Sequence, residues 1–129
     1  MVAGGALLGL SACASANEVG FEVVGSLPID GDEDVVESVQ PELRFNASAD
    51  PLTCDASLVL VALGPEDVVA WEPEFRLVYL DDANKVRFEL ERPLLRERWY
   101  ALSVQTGGLA CLDEHGRSLQ SFTAEFMVP

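Results

Sequence analysis

The chain has 129 residues, of which 49% are hydrophobic, and it carries a formal net charge of −14. A surface this acidic repels the phosphate groups of nucleic acid and of anionic lipid headgroups, so neither is an expected partner. The length suits one domain with one modest core, and it leaves little chain for a large catalytic cleft.

Near its start the chain has an apolar run, Val2–Leu10. The last residue of this run begins the sequence Leu10-Ser11-Ala12-Cys13. An apolar residue, two small residues and a cysteine resemble the lipobox of bacterial lipoprotein signal peptides. The resemblance implies that the thiol of Cys13 takes a diacylglycerol and that the chain is cut just before it. Residues 1–12 are then a lipoprotein signal peptide, and residues 13–18 are a short lipidated tether.

The positive charge that normally opens a secretory leader is missing, since no Lys or Arg precedes Arg44. The alternative interpretation is therefore an apolar, poorly ordered start to a cytosolic domain. The apolar run is too short for a spanning helix, which needs about 20 apolar residues. Membrane attachment thus depends on acyl chains.

From residue 19 onward, polar and apolar residues alternate in short runs that turn residues separate. In one such run, Val86, Phe88 and Leu90 share a face. Period-two alternation is typical of half-buried antiparallel strands. The pattern predicts about seven strands, over Val19–Ser26, Glu42–Asn46, Ser57–Leu63, Glu74–Leu80, Lys85–Glu91, Tyr100–Val104 and Phe122–Val128. Many short strands indicate a sandwich or a barrel, and the length favours one all-β sandwich over residues 19–129.

An acidic cluster follows the first predicted strand and consists of Asp30, Asp32, Glu33 and Asp34. Carboxylates at alternate positions, here Asp30, Asp32 and Asp34, can converge on Ca²⁺ through hard oxygen ligands. The EF-hand pattern fails, because Val35 stands where that loop needs glycine and Pro41 where it needs glutamate. The alternative is a solvated acidic loop, and the sequence assigns no metal site beyond this candidate.

With Cys13 assigned to lipid, Cys54 and Cys111 remain as an even pair. In an oxidising compartment such a pair predicts a disulfide, although two free buried thiols are an alternative. Cys111 could also form a nucleophile–base couple with His115. Because Cys111 is assigned to the bridge, and because no known catalytic motif occurs, we expect no enzymatic activity and no cofactor.

Trp71 and Trp99 are the candidates for a binding surface. Aromatic side chains exposed on a sandwich face can stack on sugars or anchor a protein partner. Trp99 should point away from the face of Tyr100, in an outward row with Ala101 and Ser103. The alternative is that both tryptophans close the core at its edges.

Several short motifs from Leu27 to Val128 occur in the order found in bacterial Ig-like domains of the SbsA type, which are associated with S-layers, and the chain resembles that family. The matching pieces are Pro28–Gly31 with Val35, Leu43–Asn46 with Asp50-Pro51, Pro93-Leu94 with Tyr100–Val104, Asp113 with Gly116 and Leu119, and Phe122–Phe126. The chain departs from the family where Arg96-Glu97 replaces Pro-Gly and where Arg117 replaces Asn.

The resemblance implies an Ig-like antiparallel β-sandwich. In that fold the hydroxyl of Tyr100 can bond back to the chain just upstream, with Leu94 packed against its ring. The fold also implies that the loops carrying Cys54 and Cys111 meet at one end of the sandwich, where a bridge can form.

Together, the lipobox and the Ig-like motifs lead us to expect a non-enzymatic, lipid-anchored Ig-like domain of the bacterial cell envelope, with a structural or protein-interaction role. Its expected partners are the membrane, through the N-terminal lipid, and an unidentified envelope protein or polysaccharide. Ala14, rather than Asp, follows the lipid cysteine, which in such lipoproteins is compatible with sorting to the outer membrane. The alternative is a carbohydrate-binding or calcium-dependent adhesion module that uses the Asp30–Asp34 loop or the tryptophans.

Overall fold

Eight strands run through the part of the chain that the structure describes. The structure is a computed structural model, and it describes residues 20–65, 69–105 and 110–129. The elements are β1 (Val23–Leu27), β2 (Glu42–Phe45), α1 (Pro51–Cys54), β3 (Leu58–Leu63), β4 (Val69–Trp71), β5 (Phe75–Leu80), β6 (Lys85–Leu90), β7 (Arg98–Val104) and β8 (Phe122–Val128). One sheet has the order β1-β2-β6-β5 and the other β4-β3-β7-β8, with antiparallel pairing throughout. This order is that of an Ig-like sandwich, so the predicted fold class is confirmed.

Two elements differ from the sequence-based expectations. β4 is an eighth strand, and its three residues are too few for an alternation to show. α1 forms where only a loop was expected, because the Asp50 side chain accepts a hydrogen bond from the N–H of Leu52 and Pro51 opens the helix. The expectations for residues 1–12, 13–18 and Cys13 lie outside the described residues.

The inner faces of the two sheets form one core. In β6, Val86 and Phe88 are fully buried, whereas Arg87 between them lies on the outer face, as the period-two pattern predicts. β3 lies between β4 and β7 and is buried or half-buried along its whole length, which fits its apolar sequence on both faces.

Tyr100 lies at the centre of this core and is fully buried. Its hydroxyl accepts a hydrogen bond from the N–H of Leu95 (2.8 Å) and donates one to the carbonyl of the same residue (3.1 Å). Its ring stacks on Phe126 and meets Trp71 edge-on, with centroid separations of 5.6 and 6.3 Å. The corner expected at this tyrosine is therefore present, and it fixes the β6–β7 connection to the core.

The segment from Pro28 to Val35 covers the outer edge of β8. Gly31 has a φ of +86°, a conformation that favours glycine, and its N–H donates to the carbonyl of Glu125. The N–H of Met127 donates to the carbonyl of Asp32, and the N–H of Val35 donates to the carbonyl of Met127. These bonds pair a sheet edge that would otherwise be open to other chains.

Glu97 occupies a turn in the left-handed region of backbone conformation, with a φ of +60°. The related Ig-like motif carries glycine at this position. A residue with a Cβ loses about 1–2 kcal/mol in this conformation, and the extra freedom of glycine in the unfolded chain returns about 0.5–1 kcal/mol of that difference.

We therefore expect Glu97→Gly to raise the free energy of unfolding by about 0.5–1 kcal/mol, measured by urea titration. Glu97→Ala is the matched control, because it removes the same charge but keeps the Cβ. An equal gain in both variants, or no gain in Glu97→Gly, would show that the left-handed conformation costs nothing here.

Candidate functional site

The two ends of the sandwich carry different chemistry. At one end lie the disulfide, α1, the β5–β6 hairpin turn and Gly20, whose carbonyl accepts a hydrogen bond from the side chain of Asn46. We call this the disulfide end. At the other end, the β4–β5 and β6–β7 connections border a cleft, and we call this the cleft end.

Cys54 and Cys111 form the predicted disulfide, and both residues are buried. Cys54 lies at the end of α1, before β3, and Cys111 lies between β7 and β8. Backbone contacts reinforce the link, since Asp50 donates its N–H to the carbonyl of Leu112 and the N–H of Leu112 donates to the hydroxyl of Thr53. The bridge thus joins the β2–β3 connection, which crosses from one sheet to the other, to the β7–β8 connection.

Asp113 organises the turn that follows the disulfide. Its side chain is fully buried and accepts hydrogen bonds from the N–H groups of His115 (2.9 Å) and Arg117 (2.8 Å) and from Nε of Arg117 (2.7 Å). Burial alone raises the pKa of Asp113, but the hydrogen bonds and the positive charge of Arg117 outweigh it and hold the pKa below its ordinary value. Gly116 completes this turn with a φ of +79°, and Leu119 enters the core.

The calcium candidates lie at the cleft end, on the segment that covers β8. Asp30 Oδ1 accepts the N–H of Glu125 (2.8 Å), and Asp32 Oδ1 accepts the N–H of Asp34 (3.0 Å). Asp34 is exposed. Within residues 20–65, 69–105 and 110–129, no three His, Cys, Asp or Glu side chains are gathered so that they could hold a metal ion. The carboxylates of Asp30 and Asp32 therefore act as acceptors of backbone hydrogen bonds in this structure.

The proposed nucleophile–base couple is not assembled. Cys111 is bonded to Cys54, and His115 is an exposed residue whose Nε2 lies 3.6 Å from a carboxylate oxygen of Glu114. A thiol held in a disulfide supplies no nucleophile.

Trp99 lies on the outer face of the β4-β3-β7-β8 sheet, opposite to Tyr100, as the alternation predicts. It is half-buried and pairs across the sheet with Leu63 and Met127. The row expected with Ala101 and Ser103 is present on this face, but Ala101 is only 6% exposed.

Trp71 ends β4 and lines the cleft at the opposite end from the disulfide. The cleft has a volume of about 450 Å³ and is lined by Trp71, Glu72, Pro73, Glu74, Glu91, Arg92, Pro93, Leu94 and Leu95. A backbone hydrogen bond from the N–H of Glu91 to the carbonyl of Glu74 joins its two walls. Sequence reasoning found Trp71 but missed the glutamates, because charged residues in a chain with 22 acidic groups give no signal of their own.

The carboxylates of the cleft differ from those on the outer face of the β1-β2-β6-β5 sheet. On that face, ion pairs join Arg76 to Glu89, Arg87 to both Glu89 and Glu42, and Lys85 to Glu42. In the described part of the chain, Glu72, Glu74 and Glu91 form no ion pair. The cleft therefore combines apolar side chains with three carboxylates that form no ion pair in the described chain, beside the guanidinium of Arg92.

Comparison with known proteins relates the chain to bacterial Ig-like folds. No protein-family model matches it, and the search of curated proteins gives no match. Among solved structures, the N-terminal part of the bacterial S-layer protein SbsC is similar, with a TM-score of 0.59, 14% identity and 85% of this chain covered. A longer SbsC structure, rSbsC(31-844), matches with a TM-score of 0.58, 15% identity and 84% coverage. CopC from Methylosinus trichosporium OB3b matches with a TM-score of 0.55 and 16% identity, over 84% of this chain and 92% of CopC.

The match to SbsC covers a small part of that protein, since this chain spans 24% and 14% of the two S-layer chains. At these identities the comparisons show the shared Ig-like β-sandwich fold. In the described residues, no helix is long and apolar enough to cross a membrane.

The disulfide closes a loop of 57 residues, which in the chain-entropy model stabilises the fold by about 4 kcal/mol. We expect the paired substitution of Cys54→Ala and Cys111→Ala to lower the free energy of unfolding by about 2–4 kcal/mol in urea titrations. Dithiothreitol should destabilise the wild type similarly and leave the double variant unchanged. A double variant as stable as the oxidised wild type would show that the disulfide does not stabilise the fold.

Asp113 should make stability depend on pH in the acidic range. Because its pKa is lowered in the folded state, its contribution is full above the unfolded-state pKa and is lost as the pH falls through the folded-state pKa. Asp113→Asn should therefore cost about 1–3 kcal/mol at pH 7, and its difference from the wild type should shrink between pH 4 and pH 2. The measurement is urea unfolding at each pH, with Glu114→Gln as the control. A difference that stays constant across this range would contradict the assignment.

Proposed function

We propose that this chain is a non-enzymatic, lipid-anchored Ig-like domain of the bacterial cell envelope that presents a surface to a protein partner. The observation that carries the proposal is the Cys54–Cys111 disulfide. Disulfides persist in oxidising compartments outside the cytosol. The bridge accounts for two of the three cysteines, and the third, Cys13, is the last residue of the lipobox-like sequence.

The position of Gly20, the first residue that the structure describes, supports an anchored orientation. Gly20 lies at the disulfide end, where the backbone N–H of Gln120 binds the carbonyl of the neighbouring Phe21. Seven peptide steps separate Cys13 from Gly20, a reach of at most about 25 Å. A lipid on Cys13 holds the disulfide end near the bilayer, and the cleft end then faces away from it.

The SbsA-type assignment draws support from the roles of its motif residues. Asp30 and Gly31 hold the segment along β8, Asp50 caps α1, and Asp113 holds the last turn. Motif residues with structural roles favour a scaffold domain over an enzyme. Ala14 after the lipid cysteine supports sorting to the outer membrane.

A carbohydrate-binding or adhesion module is the second candidate. The observation that favours it is the half-buried Trp71 beside carboxylates in the cleft, since indole rings stack on sugars. A sugar ligand and a peptide ligand are separated by the binding experiment described below.

The anchor is tested by the intact mass of the protein purified from its native membranes. We expect loss of residues 1–12, a lipid increment on Cys13, and a gain of two hydrogens on reduction. Cys13→Ser is the control, and it should yield an unprocessed chain without lipid. An unmodified thiol at Cys13 in the wild type, with the signal segment retained, would overturn the proposed anchor.

A further inference from the structure

The cleft end offers an apolar site that is already formed. Trp71 is held edge-on against the buried ring of Tyr100, and Leu94 is 2% exposed, so both are fixed from behind by the core. Pro73 and Pro93 stiffen the two connections that border the cleft, because the proline ring fixes φ. A site with a rigid lining loses little conformational entropy when it binds a ligand.

The apolar lining is accessible at its outer side. Leu95 is 49% exposed although its N–H and carbonyl are both bound by the hydroxyl of Tyr100. A leucine side chain held in solvent by a buried tyrosine is positioned to contact another molecule. Together with the half-buried Trp71 and the exposed Pro93, it suits an aliphatic or proline side chain of a ligand.

The charge of the cleft specifies the rest of the ligand. Three carboxylates, of Glu72, Glu74 and Glu91, border the cleft beside one guanidinium, of Arg92. The carboxylates form no ion pair within the described chain, and the net charge of −14 adds a long-range field that attracts cations. A cationic side chain of a partner would find these carboxylates available for pairing, whereas a neutral sugar would leave their charge unmatched.

We propose that this cleft binds a basic peptide segment of an envelope protein, with a leucine or proline against Trp71 and Leu95 and a Lys or Arg against the glutamates. The proposal deepens, and rests on, the proposed function as a protein-interaction domain. It names Glu72, Glu74 and Glu91 as the residues that select a basic segment.

The probe is a synthetic nine-residue peptide with the sequence Lys-Leu-Pro repeated three times. It is titrated into the full chain carrying Trp99→Phe, so that Trp71 is the only tryptophan and its fluorescence reports on the cleft. We expect saturable binding that weakens as salt is raised from 20 to 200 mM. The matched control peptide has Glu in place of Lys, and a chitotetraose titration provides the sugar arm.

The variants separate charge selection from a general effect of the acidic surface. Glu72→Gln and Glu91→Gln should each weaken peptide binding by about two- to fivefold, as expected for the loss of one exposed ion pair. Glu114→Gln removes the same charge at the disulfide end and should leave binding unchanged. Trp71→Ala leaves no tryptophan in this background, so its binding is measured by isothermal titration calorimetry. It should weaken binding by about thirtyfold or more, and if that variant is unfolded, the glutamate variants decide.

Equal binding of the Lys and Glu peptides, or no saturable change with the Lys peptide, would overturn the proposal. Equal weakening by Glu114→Gln would overturn the assignment to the cleft. Saturation by chitotetraose without peptide binding would assign the cleft to sugar instead. The mass of the natively purified protein reports on Cys13 independently of the peptide titration. If that mass shows the lipid but the peptide does not bind, the proposed ligand is contradicted and the anchor stands. If the peptide binds but that mass shows no lipid, the anchor is contradicted and the ligand stands.

Discussion

The buried hydroxyl of Tyr100 is the constraint on which the cleft end of the structure depends. It occupies both the N–H and the carbonyl of Leu95, which would otherwise have to find partners at the edge of an apolar core. The same side chain stacks on Phe126 and supports the indole of Trp71. One residue therefore contacts two strands of its own sheet, β4 and β8, fixes the β6–β7 connection and supports the floor of the cleft. The cleft and the core therefore share this support.

At the disulfide end, covalent and polar contacts within the fold predominate. Here the bridge joins the β2–β3 and β7–β8 connections, and the side chains of Asp50 and Asp113 are used in hydrogen bonds within them. At the cleft end, Glu72, Glu74 and Glu91 form no ion pair within the described residues, and Leu95 is 49% exposed. This division matches a domain that is attached at one end and binds at the other. Part of the chain's acidic charge is paired along the outer face of β6, and part is held in turns.

Much of the fold could be predicted from the sequence, because alternation in runs such as Lys85–Glu91 directly encodes which face is buried. The disulfide and the corner at Tyr100 also followed from cysteine parity and from motif order. β4 could not be predicted, since three residues carry no period, and α1 depends on the cap at Asp50 rather than on any helical pattern. Trp71 was found by residue type alone. The glutamates beside it could not be predicted as site residues. They are distinguished by forming no ion pair, and only the fold shows which carboxylates are paired.

The two-ended arrangement is tested most directly by locating Trp71 relative to the membrane. The measurement uses the natively lipidated protein carrying Trp99→Phe, reconstituted in vesicles, with quenching of Trp71 fluorescence by brominated lipids and by aqueous acrylamide. If the disulfide end faces the bilayer, acrylamide quenches Trp71 and the brominated lipids do not. Quenching by brominated lipids as strong as that of a membrane-inserted tryptophan peptide would place the cleft against the bilayer and contradict a surface that faces a partner.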